Sequence, residues 1–76
     1  MSKITIEQIL AELEIFDYPE VVTNPFSGRS CELEPEAVAL YDFIKGCEIF
    51  EQWEAMRVAL DYFMTKWPGE YMTLLD

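Results

Sequence analysis

Histidine is absent from the 76 residues, and with it goes the commonest general base and metal ligand. Cations are scarce. Five Lys and Arg against fifteen Asp and Glu leave a net charge of −10, so a phosphate backbone or an anionic membrane surface would repel the chain. Direct nucleic-acid binding is therefore not expected. No glycine-rich phosphate cradle, nucleophile elbow or calcium-loop spacing is present. Two cysteines, Cys31 and Cys47, are too few for the disulfide framework of a small secreted domain and cannot alone supply the four ligands of a structural zinc. Both are expected to be reduced core residues. No apolar run approaches the roughly 20 residues of a membrane span. The opening MSKITIEQIL lacks the long apolar run and small-residue cleavage site of a secretion signal, so a cytoplasmic protein is expected. Acid pairs such as Glu32 with Glu34 or Glu48 with Glu51 arise readily among fifteen acidic residues. No enzyme activity, cofactor or metal site is expected.

What the chain does have is apolar mass: 51% of its residues are hydrophobic and 14% aromatic, enough for one domain spanning residues 1–76 to fold. A body this small buries only about 60% of its unfolded surface, so an apolar patch left for a partner or a second copy is a natural outcome. Thr5 with Gln8 three residues on reads as a capping box, and Ile6, Ile9, Leu10, Leu13 and Phe16 follow at helical spacing. Asp17-Tyr18-Pro19 should end that helix. Val21-Val22 and Ser30-Cys31-Glu32-Leu33-Glu34, flanking Asn24-Pro25-Phe26-Ser27-Gly28, read as a short β-hairpin with Cys31 and Leu33 inward. Its turn should let Phe26 fold back onto the core. Asn24-Pro25-Phe26 is also the tripeptide that eukaryotic EH domains recognise, but each of its residues has a backbone reason to stand in a turn.

Pro35 opens a second helix whose stripe is Leu40, Phe43, Ile44, Cys47 and Phe50, with Gly46 inside it and Asp42 and Lys45 on the other side. A third helix presents Trp53, Met56, Leu60, Phe63, Met64 and Trp67, and Pro68-Gly69 ends it before a last turn closed by Tyr71, Leu74 and Leu75. The expected fold is thus α+β and mostly helical: an N-terminal helix, a short β-hairpin, then a two-helix hairpin with a C-terminal helical turn. Phe43 and Leu60 are expected in its core.

Three surfaces stand out for binding. Glu12, Glu14, Asp17 and Glu20 crowd the end of the first helix, and Glu32, Glu34 and Glu36 the entry to the second. Were the hairpin to fold back, they would form one anionic ridge with Tyr18 or Phe26 as apolar anchor, able to imitate phosphates along a groove. Plain solvation is the bland alternative for such charges. Ala55, Ala59 and Tyr62 form a small-residue shoulder for another helix, either the first helix or a second copy. Val38, Tyr41 and Ile49 lie off the main stripe of the second helix and offer a homodimer seam.

The span Asn24-Pro25-Phe26-Ser27-Gly28 through Leu33, Pro35, Ala39-Leu40-Tyr41-Asp42-Phe43-Ile44 and Gly46, with the closing Tyr71-Met72-Thr73-Leu74-Leu75-Asp76, resembles small acidic proteins encoded by tailed bacteriophages. That resemblance implies a phage origin and a bacterial host cytoplasm, and brings no catalytic residue with it. The functional expectation is an acidic accessory factor that binds a basic host or viral protein, as a nucleic-acid mimic or inhibitor. The alternative is a structural homo-oligomer or virion-associated adaptor.

Overall fold

A computed structural model describes residues 4–75; residues 1–3, the start of the amino-terminal stretch, and Asp76 of the closing stretch lie outside the described residues. Helix α1 (Ile6–Glu12) starts on the expected capping box: Gln8 N donates to Thr5 Oγ1 at 3.3 Å and Thr5 N to Gln8 Oε1 at 3.1 Å. It ends at Glu12, earlier than the apolar spacing suggested, and Leu13 turns extended. The reason is tertiary. Ile15 and Phe16 are 45% and 58% exposed, so nothing buries a continued stripe, and a short helix is not sustained by propensity alone.

Strands β1 (Glu20–Thr23) and β2 (Ser30–Leu33) pair antiparallel with Val22 opposite Cys31 and Glu20 opposite Leu33. Cys31 and Leu33 do face inward, and Leu33 is fully buried. The turn is organised by Asn24. Its Oδ1 accepts from Phe26 N at 2.8 Å, its Nδ2 donates to the Thr73 carbonyl at 3.0 Å, and Gly28 takes the positive φ of 77° that closes the loop. Phe26 does not fold back: it stands 95% exposed, because Pro25 and the Asn24 turn aim the next side chain outward.

Helix α2 (Pro35–Ile49) begins with proline at its first turn and carries Gly46 within it, as the stripe implied. Leu40, Ile44 and Cys47 are buried, but Phe50 falls past the helix end and is 74% exposed. Gln52 N reaches back to the Cys47 carbonyl at 2.8 Å, and Glu51 adopts φ 56°, a left-handed helix stop usually made by glycine. Helix α3 (Trp53–Lys66) then runs back along α2, and α4 (Pro68–Leu74) packs on α3 and on β2. The expected terminal turn is thus a two-turn helix starting at Pro68 itself.

The core lies where α2 meets α3, between α1 and the hairpin, and its largest fully buried side chains are Phe63, Leu33, Leu40 and Ile44. Helix α3 buries Ala55, Ala59 and Phe63, one turn apart each, rather than the larger residues beside them. Trp53 and Met64 are left exposed, and Leu60 and Phe43 are only partly covered. Small alanines let α1 and α2 approach α3 closely, so the Ala55–Ala59 shoulder is covered within the chain. Val38 and Tyr41 are likewise buried, and of the expected dimer seam only Ile49 remains exposed.

Cys31 and Cys47 are free thiols. Burial pushes both above their ordinary 9.0, with Glu70 adding to the effect on Cys31. Burial raises the Tyr41 hydroxyl too, aided by Asp42. A raised native pKa means the folded chain keeps protons that the unfolded chain has begun to lose. This contribution to stability is complete below 9.0 and is lost as pH climbs through the native values. The thermal midpoint should therefore fall between about pH 7 and about pH 10, and fall less in a Cys31→Ala, Cys47→Ala chain. Equal falls in both chains would exclude the thiols as the cause.

Candidate protein-binding cleft

Because α1 stops at Glu12, residues 13–19 form an irregular strap, with Leu13 packed on the core. The strap leads into β1 alongside the first turns of α2. Between them is a cleft of about 130 Å³, lined by Glu14, Phe16, Tyr18 and Glu20 on one side and by Pro35, Val38, Ala39 and Asp42 on the other. The α2 contribution follows from helix geometry, since positions 35, 38, 39 and 42 recur at i, i+3, i+4 and i+7 and so share one face. Phe16 and Tyr18 stack with ring centroids 6.0 Å apart and planes 29° from parallel, and each residue is more than half exposed. The cleft is thus lined by apolar Pro35, Val38 and Ala39, by the stacked Phe16–Tyr18 pair, and by the exposed Glu14, Glu20 and Asp42, with no lysine or arginine in its lining.

Of the expected ridge, only Glu14, Tyr18 and Glu20 come together here. Glu34 and Glu36 are occupied by the fold: Trp67 Nε1 donates to Glu34 Oε1 at 2.8 Å, and Lys66 Nζ pairs with Glu36 Oε1 at 2.5 Å. Tyr62 also donates to Glu36, at 3.3 Å. The hydrogen bond to Glu36 is the main cause that holds the Lys66 ammonium above its ordinary 10.5, followed by Tyr62. Glu12, the last residue of α1, lines a separate hollow with Phe43 and Ala55. Glu32 sits opposite Val21 on the outer face of the hairpin, and Asp17 is exposed without lining the cleft. Phe26 is at the hairpin tip, about 13 Å of strand from the end that Tyr18 approaches, beside a separate hollow with Ile44, Met56 and Leu75. Tyr18 and Phe26 therefore do not anchor one site.

Phe16, Pro35, Ala39 and Asp42 are cleft residues that the sequence does not mark as contacts, and Val38 is expected only in a dimer seam. By spacing Phe16 falls in the α1 stripe, and Asp42 falls with Lys45 opposite the stripe of α2. The shared face of Pro35, Val38, Ala39 and Asp42 was the available clue. Among the described residues no group of three His, Cys, Asp or Glu side chains could hold a metal ion, and no helix is long and apolar enough to cross a membrane. No protein-family model, curated protein or solved structure matches the chain.

Proposed function

We propose that the chain is a non-catalytic accessory factor that binds a basic protein through its acidic surface, acting in a bacterial host cytoplasm if its phage resemblance reflects its origin. The observation that carries this reading is uncompensated charge beside exposed aromatic rings. Among the described residues Lys66–Glu36 is the single ion pair, while the full chain carries −10. Solvation alone needs no aromatic side chains, whereas Phe16 and Tyr18 stand over half exposed beside Glu14 and Glu20. A partner that normally holds DNA or RNA fits this charge pattern, and competition by duplex DNA for the same partner would mark the chain as a mimic.

The test is capture of basic proteins from host lysate. Capture is expected at about 0.05 M salt and lost at about 0.5 M, because screening weakens contacts between exposed charges. A Glu14→Gln, Glu20→Gln, Asp42→Asn chain should capture several-fold less. Capture indifferent to salt, or no capture from a chain that sediments as a stable oligomer, would overturn the reading. The second outcome would favour a structural homo-oligomer or adaptor. Ile49, Phe50 and Trp53, exposed by 74%, 74% and 57% around the α2–α3 turn, are the feature that favours that alternative.

A further inference from the structure

Elsewhere on its surface the chain shows how it accommodates a cation. The Lys66 ammonium lies 5.6 Å from the Tyr62 ring centroid and 5.1 Å from that of Trp67, while Glu36 accepts its hydrogen bond. Ring faces attract a cation through their negative quadrupole, and a carboxylate beside them adds a charge-assisted bond. The cleft between strap and α2 assembles the same kinds of group, with two rings in Phe16 and Tyr18 and three carboxylates in Glu14, Glu20 and Asp42. None of its lining residues is a cation.

We infer that this cleft is the seat of an arginine side chain projected by the basic partner. The inference rests on the proposed function and adds to it the point of attachment. Arginine fits better than lysine for geometric reasons. Its guanidinium is planar and can lie on the outer face of one ring of the stacked Phe16–Tyr18 pair, while five N–H donors in one plane can serve carboxylates from both walls. An ammonium is compact, more strongly hydrated, and cannot stack on a ring face as a planar group does. The arginine methylenes would rest on Pro35, Val38 and Ala39, the apolar part of the lining. Charge complementarity decides the occupant: an apolar or acidic side chain would leave three carboxylates desolvated without a partner.

The probes are capped tripeptides Gly-Arg-Gly, Gly-Lys-Gly and Gly-citrulline-Gly, titrated into the isotopically labelled full chain and followed by amide chemical shifts. The arginine peptide should saturate shifts at Phe16, Tyr18, Val38, Ala39 and Asp42 with a Kd on the order of 1 mM, as suits one side chain. The lysine peptide should bind at least about threefold more weakly, and the uncharged citrulline peptide should leave those amides unmoved. Tyr18→Ala and Asp42→Asn replace exposed side chains and should each weaken arginine binding several-fold with the thermal midpoint unchanged. Equal response to lysine and arginine, shifts spread over Glu7, Glu32 and Glu54, or no saturation by about 20 mM would overturn the assignment. If salt-sensitive capture of basic proteins persists in that event, the basic partner stands and its anchor lies elsewhere. If capture fails while the arginine peptide saturates the cleft, the proposed function and with it the basic partner fall, and only the cleft's selectivity for arginine stands.

Discussion

Phe63→Ala should unfold the chain in modest denaturant, if it folds at all. The side chain is fully buried in α3, its ring 5.2 Å from that of Trp67, and α2 and α4 both pack on this helix. Removing a buried aromatic ring costs about 3–5 kcal/mol through lost transfer energy and the cavity left behind. A 76-residue domain has only roughly 4–11 kcal/mol in total at typical per-residue stabilities. With a urea slope of about 1 kcal/mol per M, the unfolding midpoint should fall by about 3 M or more. Phe63→Leu, which keeps most of the volume, should cost far less, about 1–1.5 kcal/mol. Urea titrations followed by far-ultraviolet circular dichroism measure both. Equal midpoints for Phe63→Ala and the unaltered chain would remove Phe63 from the core.

Trp67→Ala should be nearly as damaging, for a different reason. The residue sits between α3 and α4, is 7% exposed, and packs its ring edge-on to Tyr62 and tilted on Phe63. Its Nε1 also donates to Glu34, which stands at the residue before the first turn of α2. One side chain therefore holds the junction of two helices against the entry of a third. Truncation should cost about 3–5 kcal/mol. Trp67→Phe keeps a ring and loses the hydrogen bond, so it should cost about 1–2 kcal/mol. The same urea titrations separate the two contributions. Equal losses in Trp67→Ala and Trp67→Phe would mean that the bond to Glu34, and not the packing, is what matters.

Much of the chain was legible from neighbours a few residues apart. Thr5 with Gln8, the Asn24-to-Gly28 turn, the alternation of Cys31 and Leu33, and Pro35 each act within one turn or strand, and each stands where its chemistry suggests. The α+β order of elements follows from them. What could not be read depends on contacts across the chain. The end of α1 is decided by the absence of anything to cover Ile15 and Phe16. The buried face of α3 is decided by how near its neighbours come, which favours Ala55 and Ala59 over Trp53 and Met64. Glu34 and Glu36 looked like free surface charge because Trp67 and Lys66 lie 33 and 30 residues further on. The candidate cleft was half visible for the same reason. Glu14, Tyr18 and Glu20 are close in sequence, whereas Asp42 joins them only once α2 is laid beside the strap.

The Asn24 side chain bonds the carbonyl of Thr73, 49 residues away, and that carbonyl belongs to the last turn of α4, where helical acceptors go unused. The two ends of this bond differ in how freely they can change. At position 73 the acceptor is main chain, common to every amino acid, so substitution there leaves it in place provided the helix persists. At position 24 the donor is a side-chain amide whose oxygen simultaneously accepts from Phe26 N, a pairing of roles that aspartate, with no donor, cannot reproduce. A mutational scan of the chain would thus read this one contact asymmetrically, intolerant at Asn24 and permissive at Thr73, although the two residues hold each other equally.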